Sequence, residues 1–387
     1  MDTNDVKTNR NTSFSRRSLR RENEDVPTPL ARLANKSVVI IGGGTGTFTV
    51  LSGLKHYGVD LTAVVTMADD GGSTGRLRDE FGVLPPGDLR QCLVALSEAD
   101  QVMRKLFNYR FDKGELAGHA FGNIFISTLE KVTGSLDRAL DVAGRILNIR
   151  GRVIPVTLSK VSLVAELKNG KVLHGESALS DYQLVSRFGV KKIFLTPKAK
   201  ANPKALRAIK EADLIVVGPG NLYASLIPNF LVAGIGRALI ASKAKKVYVA
   251  NLMNKNGHTD DFLVSDYVRV LEAAVGSPAR GRPRAGKKGV FDAVVYNTKK
   301  PAGALLRKYA DEGEPVVCGP KSAFGRSDER FPRNRFSPEC LKGDFELIGT
   351  NLLADDLAKT AKKDMLRRTL IRHDSEKLAK VLMSLIN

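Results

Sequence analysis

Short apolar runs alternate with amphipathic segments along most of this 387-residue chain. The segment FTVLSGLKHYG, for example, has the spacing of an amphipathic helix and lies between two such runs. The runs, rich in valine, isoleucine and leucine, are SVVIIGGG, DLTAVVTM, RVIPVT, KKIFLT, ADLIVVGPG, KKVYVANL and FDAVVYN. Strands that alternate with helices are typical of parallel sheets. The pattern therefore predicts an α/β fold with a Rossmann-like, mostly parallel sheet and helices on both faces.

One pair of apolar runs predicts a different local structure. Residues 161–167 and 172–174 lie on either side of the dipeptide Asn169-Gly170. Asn-Gly is a strong signal for a two-residue hairpin turn, because both positions adopt positive φ readily. We therefore expect a small antiparallel β excursion within the otherwise parallel fold.

The chain divides into three predicted segments. We expect residues 1–36 to be a disordered basic tail and residues 37–350 to form the Rossmann-like domain, with a flexible basic insert at about 276–289. Residues 351–387 are rich in Ala, Lys, Leu and Asp and predict a C-terminal helical segment. No run of ~18 apolar residues occurs, and the first 36 residues lack the apolar centre of a signal peptide. We therefore expect no membrane span and a cytoplasmic protein.

The net charge of +20 raises the question of a polyanionic partner. Much of the basic excess lies in the N-terminal tail and in the insert GSPARGRPRAGKKG. Aromatic residues make up only 6% of the chain, and no zinc finger, recognition helix or RNA-binding sheet signature accompanies the charge. The sequence therefore does not favour a nucleic-acid partner.

The first glycine-rich stretch, GGGTGT at positions 42–47, follows the first predicted strand. Glycines at a strand end allow backbone amides to approach a phosphate, and the helix that follows points its positive end at the same place. Thr47 stands where a dinucleotide fingerprint needs glycine or alanine, and the Gly-Lys-Ser/Thr of a P-loop is absent. The motif predicts a phosphate cradle of another kind. A tight turn without any ligand is the alternative interpretation.

The second stretch, ADDGGSTGRLRDEFGVLPPGDLRQ, follows the second predicted strand. Asp69 and Asp70 can hold a Mg²⁺ ion, accept hydrogen bonds from a sugar or base, or cap the next helix. The glycines behind them leave the backbone bare, while Ser73 and two arginines supply donors suited to a diphosphate. The double proline predicts a rigid turn with Asp88 as the N-cap of the following helix.

Other polar residues extend the predicted site. His119 is either a general acid or base or, more simply, a structural hydrogen-bond donor, and Asn123 is placed to meet a base or sugar. GPGNLYASLIPN supplies a third glycine-rich strand end in the same crevice. The predicted ligand-binding residues are Gly42, Gly43, Gly44, Thr45, Gly46, Asp69, Asp70, Gly71, Gly72, Ser73, Arg76, Asp88, Arg90, His119, Asn123, Gly220, Asn221, Tyr223, Ser225 and Asn251.

Taken in order, the motifs GGGTGT, TMADDGGSTGRLRDEFGVLPPGDLRQCLVAL, GHAFGN, GPGNLYASLIPN and VYVANLMNKNGHTDDF resemble those of bacterial gluconeogenesis factors. These proteins form a branch of the superfamily that includes the 2-phospho-L-lactate transferase CofD. The resemblance implies a Rossmann-like core that binds a nucleotide diphosphate sugar such as UDP-N-acetylglucosamine. It also implies a regulatory role in envelope-precursor supply and cell shape during gluconeogenic growth.

Two interpretations of the activity remain open at this point. The first is a non-catalytic regulator that forms a homo-oligomer and acts on a protein partner such as an envelope-precursor enzyme. The second is a phospholactyl transferase, in which Asp69 and Asp70 are the catalytic candidates and the ligands of a Mg²⁺ ion.

Overall fold

The computed structural model describes residues 35–179, 182–276, 289–309, 345–354 and 371–386. The tail predicted for residues 1–36 and the insert predicted for residues 276–289 lie almost entirely outside these ranges. Within them, no helix is long and apolar enough to cross a membrane.

Strands in the described ranges form two separate sheets. Their bounds are β1 (Ser37–Gly42), β2 (Asp60–Val65), β3 (Arg152–Pro155), β4 (Ser162–Leu167), β5 (Val172–His174), β6 (Val190–Thr196), β7 (Leu214–Val217), β8 (Lys245–Val249), β9 (Ala293–Asn297) and β10 (Glu346–Thr350). The large sheet has the order β10-β9-β8-β7-β1-β2-β3 with every pair parallel. The predicted mostly parallel sheet is confirmed.

The small sheet is antiparallel and has the order β5-β4-β6. Its β4–β5 hairpin places Val164 opposite His174 and turns at Asn169-Gly170, which confirms the predicted excursion. The run KKIFLT belongs to β6 of this small sheet, so its assignment to the parallel sheet was wrong. Lys191 and Lys192 are exposed on β6, whereas every residue of β7 is buried, as a central parallel strand requires.

Helices cover the large sheet. They are α1 (Gly44–Leu54), α2 (Gly72–Phe81), α3 (Gly87–Leu96), α4 (Gln101–Asn108), α5 (Phe121–Thr133), α6 (Leu136–Ile146), α7 (Gly175–Leu179), α8 (Tyr182–Phe188), α9 (Pro203–Glu211), α10 (Ile227–Leu231), α11 (Ile235–Ala241), α12 (Val264–Val275), α13 (Gly303–Tyr309) and α14 (Ser375–Met383). A π-helical turn at Leu222–Leu226 precedes α10. One continuous apolar core joins the sheets and most of these helices.

The direction of the chain changes at β1. From this central strand the chain proceeds to β2 and β3 on one side, and later to β7, β8, β9 and β10 on the other. In a doubly wound sheet, the loops at the carboxyl ends of the strands separate at such a switch point and leave a crevice between them. The fold therefore places a crevice between the loop after β1 and the loop after β7.

The C-terminal helix α14 packs against α1, the helix that begins at the crevice. Its residues Leu378 and Leu382 are fully buried and belong to the core. Gly53 of α1 lies so close to the carbonyl oxygen of Ser375 that a Cβ atom on residue 53 would overlap it. The C-terminal segment is thus joined to the helix that begins at the first glycine-rich motif.

We expect the substitution Gly53→Ala to lower the melting temperature of the protein. Alanine normally stabilises a helix by about 0.5–1 kcal/mol relative to glycine. Here the new methyl group would collide with the backbone of α14 and force the two helices apart. Thermal unfolding would measure the effect, with Ser52→Ala on the same helix as the control. A melting temperature equal to or above that of the wild type would contradict the packing described.

Candidate functional site

The crevice is closed at its base where the first turn of α1 contacts the loop after β7. A Cβ atom on Gly46 would overlap the carbonyl group of Pro219, which lies in the loop after β7. Glycine at this position therefore permits two backbones to cross in direct contact. Packing against Pro219 by itself requires glycine here, and the predicted contact of Gly46 with a ligand stays a prediction.

Gly44 has a different environment, because it faces the open crevice. Its φ of +63° lies in the left-handed region that favours glycine. A methyl group on this residue would lie 3.8 Å from Ser225 Oγ and 3.9 Å from Asp88 Oδ1, in contact distance of both without overlap. The loop after β1, the start of α3 and the π-helical turn therefore meet around Gly44.

Asp88 reaches across the crevice to the start of α1. Its carboxylate accepts a hydrogen bond from the backbone N–H of Gly44, and Gly43 packs directly against it. Burial raises the pKa of Asp88 to about 7, with the charge of Asp69 contributing. The predicted N-cap role was wrong: α3 begins at Gly87 after the N-cap Pro86, and Asp88 lies in its first turn. The carboxylate therefore caps α1, on the opposite side of the crevice, and not its own helix α3.

Asp69 and Asp70 follow β2 and continue the acidic wall of the crevice. Asp69 Oδ1 accepts the backbone N–H of Gly71 at 2.9 Å, and the Thr74 side chain also hydrogen-bonds to this carboxylate. Burial raises the pKa of Asp69. The carboxylate of Asp70 packs against Gly175, at the start of α7. Both side chains thus order neighbouring segments as well as facing the crevice.

Glu176 and Lys255 also belong to the site, although the sequence did not single them out. Burial raises the pKa of Glu176 to about 8, and the charges of Asp69, Asp88 and Asp70 raise it further. Lys255 lowers the pKa of Glu176, and its own pKa is lowered by burial. Glu176 lies outside the quoted motifs, in α7 after the small hairpin, whereas Lys255 lies within VYVANLMNKNGHTDDF after β8 without having been selected as a site residue. The folded chain alone brings them together.

A magnesium site at Asp69 and Asp70 stays a prediction. Within the described part of the chain, no three His, Cys, Asp or Glu side chains converge as a metal-binding group. Asp69 already accepts hydrogen bonds from Gly71 and Thr74. Mg²⁺ often binds through one or two carboxylates together with phosphate oxygens and waters, so the pair alone does not define a site. The residues do not fit a magnesium ion held by protein groups only.

Four predicted ligand residues form an internal hydrogen-bond network: Ser73, Arg90, His119 and Asn123, each at most 5% exposed. Ser73 Oγ accepts from the N–H of Ala120 and from Asn123 Nδ2, and it lies 3.2 Å from His119 Nδ1. With both acceptor positions used, the hydroxyl hydrogen is donated to His119. Burial lowers the pKa of His119, which agrees with a neutral ring. His119 Nδ1 is therefore a structural hydrogen-bond acceptor, and the ring hydrogen lies on Nε2.

Arg90 completes this network and is not directed at a ligand. Its Nε donates to Asn123 Oδ1 at 2.9 Å, and Nη1 donates to Asn108 Oδ1 at 2.5 Å. Arg76, the other predicted arginine, donates from Nη2 to the carbonyl of Ala117 at 2.7 Å. Both guanidinium groups thus connect helices and loops around the crevice.

The loops after β7 and β8 are joined to each other by side-chain amides. Asn251 Oδ1 accepts from the N–H of Gly220 at 3.2 Å, and its Nδ2 donates to the carbonyl of Gly220 at 2.9 Å. Asn221 caps the π-helical turn, since its Oδ1 accepts from the N–H groups of Tyr223 and Ala224. Tyr223 is half-buried, and its ring contacts that of His258 edge-on at 6.0 Å. Ser225 faces Gly44.

The remaining predicted residues lie at the ends of β1 and at the start of α2. Gly42 is buried at the end of β1, and Thr45 is exposed in the first turn of α1. Gly71 is the N-cap of α2, and Gly72 has a φ of +47° with open space beside it. The first turns of α1 and α2 thus carry bare backbone at their N-terminal ends.

These features define a class of protein: a doubly wound α/β protein with a glycine-lined, acidic crevice at the switch point of its sheet. The sequence matches the CofD family, described as 2-phospho-L-lactate transferase CofD, over residues 38–324. The chain therefore belongs to the CofD superfamily, and within it to the gluconeogenesis factors, as the following relatives show.

The Bacillus subtilis protein named gluconeogenesis factor is 37% identical and is matched over 90% of this chain and 98% of its own length. Its namesake in Halalkalibacterium halodurans is 40% identical over 74% of this chain and 85% of its own. A crystal structure of a Bacillus halodurans protein, described as a member of the UPF0052 family, has a TM-score of 0.74 at 33% identity. The match covers 90% of this chain and 99% of that one. The predicted family and fold are confirmed.

We expect Asp88→Asn to stabilise the protein at alkaline pH more than at acid pH. Because the pKa of Asp88 is about 7 in the fold, far above its ordinary value of 3.8, ionisation weakens the folded state as the pH rises between these values. The neutral amide avoids this loss, by about 1–3 kcal/mol above pH 8 and almost nothing at pH 4.

Denaturant unfolding at pH 4.5 and at about pH 8.5 would measure the difference. Asp79→Asn, on the exposed side of α2, is the control and should change stability equally little at both. A stabilisation of Asp88→Asn that does not grow with pH would contradict the environment described for this carboxyl group.

Proposed function

We propose that this protein is a cytoplasmic regulator that binds a nucleotide diphosphate sugar such as UDP-N-acetylglucosamine in the switch-point crevice. Its role is to adjust envelope-precursor supply and cell shape during gluconeogenic growth. The names of the Bacillus subtilis and Halalkalibacterium halodurans relatives support the gluconeogenic setting. A homo-oligomer that acts on an enzyme of envelope-precursor synthesis is part of the same proposal.

One observation carries the ligand assignment: two helices begin at the crevice with bare glycine backbone. The N-caps of α1 and α2 are Gly43 and Gly71, which have no side chain to cap the helix. Gly44 and Gly72 follow them, both with positive φ and with no atom that a Cβ would overlap. Helix N-termini, whose first amides have no partner within the helix and which carry the positive dipole end, are suited to phosphate groups. Two such ends match the two phosphates of a diphosphate.

A regulator is favoured over a transferase by what the acidic residues already do. Asp69 shapes its own loop through Gly71, and Asp88 caps α1 through the N–H of Gly44. A transferase needs a metal ion to neutralise the charge of the leaving phosphate and an acidic group free to position the acceptor. These contacts already engage the two carboxylates, which supports a wall that recognises a ligand over one that catalyses a transfer.

We expect Gly44→Ala to weaken the binding of UDP-N-acetylglucosamine by about tenfold or more, because a methyl group would block the approach of phosphate to the backbone. Isothermal titration calorimetry would measure the affinity. Gly58→Ala is a matched control, since Gly58 also has positive φ and open space but lies in the turn between α1 and β2.

Both variants introduce the same backbone strain, so a difference between them reports on the ligand. Equal affinities of wild type and Gly44→Ala would show that the first glycine motif is only a turn. Absence of nucleotide-sugar binding by the wild-type protein would overturn the proposed function.

The second candidate function is the phospholactyl transferase activity that gives the family its description. We expect a conjugate in which phospholactate is joined to guanosine monophosphate through a diphosphate bond, incubated with the protein, Mg²⁺ and a deazaflavin alcohol, to be recovered intact. Chromatography of the nucleotides would test this expectation. Magnesium-dependent release of guanosine monophosphate that is lost in Asp70→Asn would establish the transferase instead.

A further inference from the structure

The arginines around the crevice are all engaged in contacts within the protein. Arg76 donates to the carbonyl of Ala117, and Arg90 donates to Asn123 and Asn108. Arg78 donates from Nη2 to Ser162 Oγ at 2.6 Å and from Nη1 to the carbonyl of Val161 at 3.2 Å. These bonds attach α2 and α3 to their neighbours. A phosphate in the crevice therefore needs another cation.

Lys255 lies in the loop between β8 and α12, at the same edge of the sheet as the glycine loops. Its backbone is held firmly, because its N–H donates to Thr259 Oγ1 at 2.9 Å. The buried Tyr267 hydroxyl donates to Asn254 Oδ1 at 2.8 Å and lies 2.9 Å from the Thr259 hydroxyl, so it contacts both ends of this turn. The loop is rigid at the base of the lysine side chain.

The same loop is attached to the opposite side of the crevice. His258 Nε2 contacts the carbonyl oxygen of Leu179 at the end of α7, and the His258 ring packs against Tyr223. Because α7 begins with Gly175 and Glu176, this attachment brings Lys255 opposite the acidic wall. The charges of Asp69, Asp88 and Asp70 raise the pKa of Glu176, and the charge of Lys255 lowers it, so all four groups lie near this carboxyl group.

The side chain of Lys255 is partly desolvated but still reaches solvent, and within the described ranges its ammonium group forms no hydrogen bond or salt bridge. It therefore combines a fixed backbone with a free charged end. A lysine of this kind acts as a movable point charge for phosphate, in contrast to the committed arginines. The carboxyl groups opposite would repel an anion that lacked such a partner.

We propose, on the basis of the nucleotide-sugar function above, that Lys255 is the residue that makes the crevice selective for a diphosphate. Its ammonium pairs with the phosphate oxygens, while the first turns of α1 and α2 supply backbone N–H donors from the other side. Where Glu176 is ionised it attracts the ammonium in the free protein, and phosphate takes its place in the complex. The charge of the ligand is thus recognised by one lysine and not by the arginines of the ADDGGSTGRLR motif.

The test compares affinities for UDP-N-acetylglucosamine and for inorganic pyrophosphate by calorimetry in wild type, Lys255→Met and Lys255→Arg. We expect Lys255→Met to weaken both by about 10–100-fold and Lys255→Arg to retain most of the affinity. Lys243→Met is the matched control, because Lys243 is exposed before the start of β8, at the opposite end of the strand. Its affinities should equal those of the wild type.

Melting temperatures without ligand, together with a second neutral variant, Lys255→Gln, separate a loss of charge from a loss of fold. Affinities of Lys255→Met within twofold of wild type would overturn this inference while leaving the nucleotide-sugar function in place. If Gly44→Ala loses binding and Lys255→Met does not, the glycine-rich helix starts bind the phosphate and Lys255 does not contribute. Failure of the wild type to bind either probe would refute the proposed function itself.

Discussion

The close approach of the first turn of α1 to the loop after β7, at the base of the crevice, is the contact on which the rest of the site depends. It exists because β1 pairs with β2 on one side and with β7 on the other, so the loops after β1 and β7 leave the sheet at the same edge. Gly46 and Pro219 touch there without room for a side chain. This contact determines where α1 begins, and α14 packs on that helix near its other end.

The electrostatics of the crevice follow from this arrangement. Buried carboxyl groups are costly in their charged form, and backbone N–H groups at helix starts offset part of that cost. Asp88 is stabilised by the N–H of Gly44, and Asp69 by that of Gly71. Burial still raises the pKa of Asp88 to about 7 and that of Glu176 to about 8. These two carboxyl groups therefore gain or lose a proton near neutral pH. In their neutral form they repel a bound anion less than carboxylates would.

Acids and arginines that are neighbours in the chain are separated by the fold. The acids line the crevice, whereas Arg78 connects α2 to β4 and Arg90 connects α3 to α5 and to the end of α4. A guanidinium group has five N–H donors and no acceptor, so a buried arginine must find several oxygens. Asn123, Asn108 and the carbonyl of Phe107 provide these for Arg90. Local composition placed the glycine motifs at the strand ends, as the structure has them, but the arginines connect elements of the scaffold.

The sequence by itself determined the features that depend on neighbouring residues. Apolar runs of the right length became parallel strands, Asn169-Gly170 became a hairpin turn, and the glycine motifs fell at the carboxyl ends of β1, β2 and β7. These features are set by local sterics and by the need to bury one stretch of chain. The motifs that indicated the family include these same glycine-rich strand ends, and they too are read from neighbouring residues.

Only the tertiary structure decided which distant groups meet. It placed β6 in the small sheet, added β10 at the edge of the large one, and directed Asp88 to the amide of Gly44. It also brought Glu176 and Lys255 together from segments about eighty residues apart in the chain. The hydrophobic periodicity of the sequence does not predict these long-range contacts. Side-chain partners depend on how whole elements pack and on the cost of burying an unpaired polar group.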